Sequence, residues 1–398
     1  MSTPFRKQHI VGLTVRIVVI LGVFSPLLIW SIKRPVPTAN SALAKTDCGA
    51  LQASDQPLYI EKFVDSNDAG SSQVHSASIT EQANHELRAV WFQGSREGAR
   101  DVAIYTSVLD RASGHWQTPT VLVDRYQTEN DLGNYIKTVG NPVLFTDGRG
   151  RTWLFYVTVT FGGWSGSDIN CKFSDDGGQT WSPAKRLSTA PIPHSGTLVK
   201  GTPFEYADGT LGLPVYRDYG KYSFPELLRL DQTGAVIGIT YMSNRMRGGL
   251  QPSVVMVDDR RGVAFLRYKG DEPRRILRTN TEDAGQTWSS PTRTELPNPD
   301  SAVSAISLSD GHLLIVFNNS TEDRRVLSMA VSSDLGLSWR VIHNFEVGDN
   351  TRTDGVDEYS YPHIIRTCSG EIHLVYTWQR KRIKHIVFNE AWVKTLNG

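Results

Sequence analysis

"KFSDDGGQTWS", the stretch from Lys172 to Ser182, contains a short pattern that the chain repeats. The pattern is Ser/Thr-x-Asp-x-Gly-x-x-Trp, and a second copy lies in "RTNTEDAGQTWSS", which begins at Arg278. An aspartate that accepts backbone N–H bonds, a glycine at positive φ and a tryptophan that packs back on the chain suit a hairpin turn, so we interpret the pattern as structural. The three copies are Ser174, Asp176, Gly178 and Trp181; Thr281, Asp283, Gly285 and Trp288; and Ser332, Asp334, Gly336 and Trp339.

The spacing of the copies predicts a β-propeller. Their tryptophans lie 107 and 51 residues apart, so the first interval holds two units, one of which lacks the pattern and is centred near Asp231. The stretch "SVLDRASGHW", which ends at Trp116, is interpreted as a degraded copy. Units of about 50 residues with about four strands each are typical of propeller blades. We therefore predict an all-β fold, a six-bladed β-propeller.

Short strand-like runs fill the chain after residue 57. Examples are "TWLFYVTVTF" (Thr152–Phe161) and "HLLIVF" (His312–Phe317), which lie between turns rich in glycine, aspartate and serine. No long apolar pattern of period 3.6 interrupts them. With 398 residues, of which 39% are hydrophobic, the chain is long enough to bury a large core.

The N-terminus carries an apolar run, Ile17–Ile32, with basic residues on both sides. This pattern predicts a signal-anchor or transmembrane segment over residues 1–35, a linker over 36–56, and the propeller over 57–398. A signal peptide cleaved near Ala42–Ala44 is the alternative. Either interpretation predicts a propeller on the extracytoplasmic side, in the periplasm or at the cell surface, which is membrane-anchored, or secreted if the signal is cleaved.

Charge and cysteine content exclude several classes of site and partner. A formal net charge of +1 offers no basic field for a phosphate backbone, so we expect no nucleic acid partner. The three cysteines are Cys48, Cys171 and Cys368, which rules out a dense disulfide framework but leaves room for one bridge. No pair of histidines and no aspartate-rich loop has the spacing of a metal site, so we expect no metal and no cofactor.

Three such turn motifs at blade spacing make residues 70 to 392 resemble the sialidase (neuraminidase) superfamily, in its bacterial branch with BNR, or Asp-box, repeats. The resemblance implies a glycosidase site. In that family three arginines bind a substrate carboxylate, an aspartate protonates the leaving group, and a tyrosine activated by a glutamate attacks. Arginine suits the first role because its guanidinium binds a carboxylate through two parallel bonds. The turn motifs alone say nothing about catalysis, because they also occur on other propellers.

Two segments resemble the first half of the family's site. "WFQGSREGARDV" (Trp91–Val102) resembles the segment with an arginine and, five residues later, the acid/base aspartate, which implies a substrate-binding Arg96 and a catalytic Asp101. "FEYADGTLGLPVYRD" resembles the hairpin that supplies the second arginine, which implies Arg217. The structural alternatives are a solvated charged turn for the first segment and an arginine paired with Asp218 for the second.

The later segments imply the third arginine and the nucleophile. "NNSTEDRRVLSMAVSSDLG" implies Arg324, with Arg325 one register away, and strand alternation sends only one of the two toward the axis. "EYSYPHIIRTCSGEIHLVYTW" resembles the family's nucleophile segment and implies a catalytic Tyr359. Tyr361 lies two residues further along and is the rival, whereas a tyrosine that merely packs at a blade edge is the structural alternative.

Two departures from the family pattern bear on the ligand. His75 stands where the first arginine is expected, so we place it with the substrate-binding residues. Lys200 and Gly201 stand where the activating glutamate is expected. Without these two parts, the ligand is not expected to bind as sialic acid does in true sialidases.

These expectations favour a carbohydrate-active enzyme that hydrolyses an acidic glycan, either sialic-acid-like or a uronic acid polymer, with Tyr359 as nucleophile and Asp101 as acid/base. Two alternatives stay open. A uronate polysaccharide lyase would use His75 or Tyr359 to abstract a proton next to the carboxylate. A non-catalytic glycan-binding or assembly propeller would need no turnover. The expected partners are an acidic oligo- or polysaccharide and, through the N-terminal segment, a membrane.

Overall fold

Runs of β-branched and aromatic residues between glycine turns form antiparallel sheets throughout the computed structural model. Six sheets of four or five strands each make up the fold, which confirms the predicted six-bladed propeller. The structure describes residues 22, 43, 54–64, 72–110, 113–191, 193–220, 222–243, 248–348 and 357–396.

The strands follow one another blade by blade. Blade 6 takes its outermost strand from the start of the chain, β1 (Tyr59–Phe63). Blade 1 contains β2 (Gln73–Glu81), β3 (Leu87–Gly94), β4 (Ala103–Asp110), β5 (His115–Trp116) and β6 (Thr120–Val123), and helix α1 (Arg125–Leu132) follows. Blade 2 contains β7 (Thr138–Thr146), β8 (Thr152–Val159), a 3₁₀ turn (Gly163–Gly166), β9 (Ser167–Ser174) and β10 (Lys185–Arg186). Blade 3 contains β11 (Thr197–Val199), β12 (Phe204–Glu205), β13 (Leu211–Tyr219), β14 (Tyr222–Leu230) and β15 (Val236–Tyr241).

The second half continues the same arrangement. Blade 4 contains β16 (Gly249–Met256), β17 (Gly262–Tyr268), β18 (Arg275–Thr281) and β19 (Thr292–Pro297). Blade 5 contains β20 (Ser304–Ser307), β21 (Leu313–Asn318), β22 (Val326–Ser332) and β23 (Arg340–Val347). Blade 6 is completed by β24 (Tyr359–Arg366), β25 (Glu371–Trp378) and β26 (Arg382–Asn389), and helix α2 (Glu390–Thr395) follows.

The innermost strands of the six blades are β2, β7, β11, β16, β20 and β24. We call the end at which these strands begin the upper face, and the end at which they finish the lower face. The hydrophobic core lies between neighbouring blades: one cluster of buried side chains joins blade 4, through Phe265, to blade 5, through Ile315. Another joins blade 6, through Val375, to blade 1, through Ile79.

The predicted turn motifs lie between the third and fourth strands of blades 2, 4 and 5, on the lower face. In the first copy Asp176 accepts the backbone N–H of Thr180 at 2.9 Å, and the indole of Trp181 donates to the Gly178 carbonyl at 3.2 Å. Blade 3 has a plain turn at Asp231 in the equivalent place, as predicted from the spacing. The motifs therefore stabilise blades on the side away from the upper face.

Four inner strands carry the same irregularity. Their pairing with the second strand skips two residues, and the first skipped residue has positive φ: Ser76 (57°), Asn141 (44°), Gln251 (47°) and Tyr361 (55°). A bulge of this kind bends the strand and turns a side chain out of its regular direction. A non-glycine residue in this region of backbone space costs about 1–3 kcal/mol, and such residues cluster at functional sites.

Hydrogen bonds between inner strands join neighbouring blades just below these bulges. The Ser78 hydroxyl of blade 1 accepts the backbone N–H of Leu144 in blade 2 at 3.0 Å. Between blades 4 and 5 the Ser253 hydroxyl accepts the backbone N–H of Ala305 at 2.9 Å. Between blades 5 and 6 the Ser304 hydroxyl accepts the backbone N–H of Ile364 at 3.1 Å. Because the inner strands are edge strands of their sheets, each bond satisfies a buried N–H that has no partner in the ladder of its own blade.

We expect Ser78→Ala to destabilise the propeller by about 1–3 kcal/mol, because it leaves the buried Leu144 N–H without its acceptor. The free energy of unfolding from denaturant titration measures the effect. Ser307→Ala is the matched control, since the Ser307 hydroxyl bonds only the neighbouring Leu308 carbonyl, at 3.3 Å, and is partly exposed. Equal losses in the two variants would contradict a special role for the junction.

Within the described part of the chain, no helix is long and apolar enough to cross a membrane. The predicted membrane segment over residues 1–35 lies outside the described residues except for Gly22, and most of the predicted linker does as well.

Candidate functional site

Tyr361 lies at the centre of the upper face. Its positive φ turns the phenol toward the axis, where the Arg267 guanidinium donates to its hydroxyl at 3.1 Å. The amide of Gln251 lies 3.5 Å from the same oxygen and donates to the Tyr216 hydroxyl at 3.2 Å. Blades 3, 4 and 6 thus bring two phenols, an amide and a guanidinium to one point on the axis.

Three arginines surround this point, and each is paired with a carboxylate. Arg267 donates to Asp300 at 2.6 Å. Arg324 and Arg380 both bind Glu358, at 3.0 and 2.7 Å, and Arg324 also lies over the Tyr361 ring, 5.7 Å from its centroid. Arg380 additionally binds Glu97 of blade 1 at 3.0 Å. The structure therefore holds a cluster of guanidinium groups whose charge is balanced by neighbouring carboxylates.

Glu358 is the acidic centre of this cluster. Burial alone would raise the pKa of its carboxyl, but the field of His75, the bonds from Arg380 and the charge of Arg324 lower it to about 2. The Ser360 hydroxyl adds a further bond at 2.7 Å. Glu358 is therefore ionised at neutral pH and holds both arginines in fixed positions.

This pKa predicts how stability depends on pH. A carboxyl whose pKa falls from its ordinary 4.5 to about 2 on folding stabilises the protein above pH 4.5, and the contribution is lost as the pH falls toward 2. We expect Glu358→Gln to lower the free energy of unfolding at neutral pH by on the order of 2–3 kcal/mol and to flatten its pH dependence between these values. Denaturant titrations across this pH range measure the effect. An unchanged slope would contradict the assignment.

His75, predicted to bind substrate, packs against Tyr361 with 4.3 Å between ring centroids. It is buried, and neither ring nitrogen has a hydrogen-bond partner among the described residues. Burial, together with the nearby positive charges of Arg380, Arg324 and Lys200, lowers the pKa of His75 well below its ordinary value. A neutral imidazole with two unused nitrogens is able to accept a proton or to bind a hydroxyl group of a ligand.

Lys200 directly follows the inner strand β11 of blade 3, in the neighbourhood where the resemblance led us to expect a glutamate. Its ammonium donates to the Ala77 carbonyl across the axis at 2.9 Å and lies 5.7 Å from the centroid of the Tyr361 ring. Burial lowers the pKa of Lys200 to about 7. Within the described ranges it has no carboxylate partner that would oppose this shift, and the side chain lies close to the central phenol.

Tyr359, the predicted nucleophile, lies elsewhere. It packs in the core between blades 5 and 6, and its hydroxyl accepts from the Gln379 amide at 3.4 Å. Burial raises the pKa of Tyr359, which disfavours the phenolate that a nucleophile needs. In a regular strand Tyr359 and Tyr361 would lie on the same face of the sheet, but the bulge at Tyr361 points the two side chains in different directions.

Asp101 and Arg96 lie on the exposed loop between β3 and β4. Asp101 accepts the backbone N–H and the hydroxyl of Ser95, at 2.8 and 2.9 Å, and these bonds lower the pKa of Asp101. The same loop sends Glu97 to Arg380. The loop therefore borders the cluster, while Asp101 itself holds the loop together and Arg96 is exposed.

Arg217 and Arg325 lie outside the cluster. Arg217 is buried, binds both oxygens of Glu226 at 3.0 Å and donates to the Thr189 carbonyl at 2.7 Å. Strand alternation sends the neighbouring Tyr216 to the axis and Arg217 to the other side of the sheet. Arg325 pairs with Asp323 at 2.7 Å, whereas the adjacent Arg324 reaches the cluster.

Arg267, Arg380 and Glu358 were not recognised from the sequence as site residues. A signal for the bulges is present, however: Pro142, Pro252 and Pro362 are spaced 110 residues apart, and each follows a polar residue at positive φ. This spacing marks the equivalent points of three inner strands, and with them the position of the site.

Solved structures with the same fold include carbohydrate-active enzymes. The Hadza microbial sialidase Hz136 is 16% identical, with a TM-score of 0.63 over 79% of this chain, which spans 65% of that protein. The intramolecular trans-sialidase from Ruminococcus gnavus is 16% identical, with a TM-score of 0.62 over 84% of this chain and 98% of that one. An alpha-L-arabinanase from Penicillium chrysogenum is 14% identical, with a TM-score of 0.60 and coverages of 84% and 98%. At these identities the likeness concerns the fold.

A search of curated protein sequences found no match. The family model described as a BNR repeat-like domain matches residues 85–374, which is more than half of the chain. This match agrees with the turn motifs of blades 2, 4 and 5 and with the sialidase fold of the similar structures. The chain therefore belongs to the BNR repeat-like domain family.

Proposed function

We propose that the protein is a carbohydrate-active enzyme that cleaves glycosidic bonds of an acidic glycan, with Tyr361 as its central catalytic residue. The observation that carries this proposal is the convergence of Tyr361, Arg267 and Arg324 on one point of the upper face. Sialidases and an arabinanase among the similar structures support a glycan as substrate.

The arginine cluster suits a carboxylate of a sialic-acid-like or uronic acid residue. Arg324 and Arg380 already hold a carboxylate, that of Glu358, so the geometry for one is formed before any ligand arrives. A ligand carboxylate would share or replace these bonds. Because the ligand competes with Glu358, binding is expected to be weaker than at a free pair of arginines.

Tyr361 is proposed as the nucleophile of a retaining hydrolysis. Its oxygen forms a bond to the anomeric carbon as the bond to the leaving-group oxygen breaks, and Arg267 stabilises the negative charge on the phenol. His75 is the acceptor proposed for the phenolic proton, although burial disfavours its protonated form and its ring must turn to reach the hydroxyl. Asp101 is proposed to protonate the leaving group. Since Asp101 is bound by Ser95 and its pKa is lowered, this role requires the loop to release it. Water then attacks the anomeric carbon as it gives a proton to Asp101, the bond to the Tyr361 oxygen breaks, and the phenolate recovers its proton from His75.

A uronate lyase is the second candidate, and one observation favours it. Within the described residues, no carboxylate contacts the Tyr361 hydroxyl, so the glutamate that would activate a nucleophile is not in place. In elimination, Tyr361 or His75 would instead remove the proton next to the uronate carboxylate, whose charge the arginines neutralise, and the leaving group would depart with a new C=C bond in the sugar.

The test is turnover of a panel of sialylated and uronate-containing oligosaccharides. Hydrolysis is expected to give a reducing sugar that retains its carboxylate, whereas elimination gives an unsaturated sugar with a distinctive ultraviolet absorbance. Binding without any product across the panel would support the non-catalytic glycan-binding propeller and would contradict the proposed activity.

We further propose that the propeller lies on the extracytoplasmic side, anchored by the N-terminal segment or secreted after its cleavage. The disulfide of Cys368 supports export, because such bonds persist in oxidising compartments. We expect the full chain to fractionate with membranes and a chain that starts at Asp47 to be soluble. Recovery of the full-length chain, uncleaved, from the soluble extract would contradict the anchor.

A further inference from the structure

Among the described residues, exposed aromatic side chains collect near the upper ends of blades 2 and 3. Phe161, which follows β8, is 61% exposed, and Tyr219 and Tyr241, the last residues of β13 and β15, are 41% and 59% exposed. Scattered apolar side chains are normal on a protein surface, whereas a contiguous group marks an interaction site. The contacts between these rings show that they form such a group.

The rings of blade 3 form one continuous strip. Residues that pair across two strands lie on the same side of a sheet, as do residues two apart along one strand. Phe224 pairs with Arg217, which is two residues before Tyr219. Tyr241 pairs with Glu226, which is two residues after Phe224. The Phe224 ring therefore contacts both other rings, with centroids 6.4 Å from Tyr219 and 6.0 Å from Tyr241.

Blade 2 and the loop before β11 extend this strip. The ring of Phe161 contacts the ring of His194 edge-on, with 5.2 Å between the centroids. The next residue, Ser195, accepts the Tyr219 hydroxyl through its carbonyl. The Tyr219 ring also lies against Gly196, where an added Cβ would come within 3.0 Å of the ring. We call the following residues the aromatic band: Phe161, His194, Tyr219, Phe224 and Tyr241.

Arg217 holds the band in place from the buried side. Its guanidinium donates to the Ser195 carbonyl at 3.2 Å and to the Tyr219 hydroxyl at 3.4 Å. Its Nε donates to the buried Glu226 carboxylate at 3.0 Å. An aromatic surface that is already fixed loses little conformational entropy when a ligand binds. The buried ion pair therefore gives the band a preformed shape.

The band is continuous with the site at Tyr361. Tyr216 lies three residues before Tyr219 on β13, and its hydroxyl accepts from the Gln251 amide at 3.2 Å. The same amide lies 3.5 Å from the Tyr361 hydroxyl. Three residues of a strand span about 10 Å. A ligand that contacts both Tyr361 and the band must therefore be longer than one sugar unit.

The chemistry of the band suits a glycan chain. The apolar C–H face of a sugar is able to pack on an aromatic ring while its hydroxyls stay in water or bond polar groups at the ring edge. The nearby carboxylates have partners: Asp168 accepts the backbone N–H of His194 at 2.7 Å, and Asp218 lies 3.5 Å from the Lys269 ammonium. These carboxylates therefore repel an acidic chain less than unpaired ones would.

We propose that the aromatic band binds the sugar units that follow the acidic unit in the glycan chain, so that the ligand is an oligo- or polysaccharide and not a single terminal sugar. The inference rests on the proposed glycan-cleaving function for the place of the acidic unit at Tyr361. The occupant of the band is the remainder of the substrate chain, which runs outward from the axis over the upper ends of blades 2 and 3.

Calorimetric titration of the full-length protein tests this with two pairs of probes: galacturonate with its linear hexamer, and N-acetylneuraminate with its linear hexamer. We expect at least one hexamer to bind about tenfold or more tightly than its monomer. In the double variant Phe161→Ser with Tyr241→Ser the ratio of the two affinities should fall about tenfold, because the exposed rings that the longer chain contacts are removed.

Tyr126→Ser is the matched control. Tyr126 is 60% exposed on α1, where its ring contacts the Arg125 guanidinium outside the band, so the ratio should stay as in the unaltered protein. Equal affinity for monomer and hexamer in both pairs, no binding of either hexamer, or an equal loss in the control would overturn the inference. So would a loss of self-association in the double variant without a change in glycan affinity, because it would assign the band to a second copy of the chain.

The same titrations separate this inference from the proposed activity. Hexamer preference that depends on the band, without any product from the oligosaccharide panel, would support the band and contradict the proposed catalysis. Turnover of the panel with an affinity ratio that the double variant leaves unchanged would overturn the band alone.

Discussion

Tyr361→Phe is expected to reduce turnover of the acidic glycan by about 10²–10⁴-fold while the propeller stays folded. The change removes one oxygen, which is the proposed nucleophile or base, and leaves the ring in contact with His75 and beneath Arg324. Because only about 0.5–1.5 kcal/mol of ground-state affinity depends on one hydrogen bond, the loss should appear in kcat and not in KM. Steady-state kinetics on the best substrate of the panel measures it.

Tyr359→Phe is the matched control. The family resemblance implies Tyr359, whereas the geometry favours Tyr361, and the two variants separate these assignments. The backbone N–H of Tyr359 donates to the Arg324 carbonyl at 3.0 Å, a bond that the variant keeps, and among the described residues its hydroxyl has the Gln379 amide as partner, at 3.4 Å. We expect nearly full activity in this variant. Full activity in Tyr361→Phe, together with loss in Tyr359→Phe, would transfer the catalytic role to Tyr359.

Arg217→Met is expected to destabilise the protein by about 3–5 kcal/mol, because it removes both bonds that the guanidinium makes to the buried Glu226 carboxylate. The resemblance implies a substrate-binding role for Arg217, which predicts weaker binding instead. Thermal or denaturant unfolding measures the first effect, and ligand titration of the folded fraction measures the second. A variant of normal stability with weakened glycan binding would contradict the structural role.

The double variant Arg217→Met with Glu226→Leu separates the effect of breaking the ion pair from the other effects of losing Arg217. Replacing a buried ion pair by apolar side chains of similar size is often neutral, so most of the lost stability should return. If the double variant is as unstable as the single one, packing or the bonds of Arg217 to Thr189 and Ser195 cause the loss, and the broken ion pair with Glu226 does not.

The blades could be predicted from the sequence because their information is local. A turn motif such as Ser174–Trp181 contains the hydrogen-bond donors, the acceptor and the glycine that it needs within eight residues, so its presence reveals a hairpin directly. The tryptophan spacing then gave the number of blades, including the one at Asp231 that lacks the motif. No long-range contact had to be known for this inference.

The site was harder to predict because strand alternation fails at the bulges. With regular alternation Tyr359 and Tyr361 would share one face, and only the positive φ of Tyr361 separates them. At Arg217 the strand alternates regularly, and this alternation points the Arg217 side chain away from the axis. Arg267 and Arg380 come from hairpins of different blades, so their meeting depends on closure of the ring and cannot be read from either segment alone.

The pairing of β1 with β26 sets the order of events during folding. Tyr59 pairs with Phe388, so the first strand to be synthesised must wait for the last. Closing a loop of this length costs about 5 kcal/mol in chain entropy, which only the completed ring can offset. Until that moment the edge of β26 stays unpaired, which exposes a partly folded chain to aggregation. We therefore expect ring closure to be a late step of folding, and a chain that lacks β1 or β26 to lose the pairing that closes the circle.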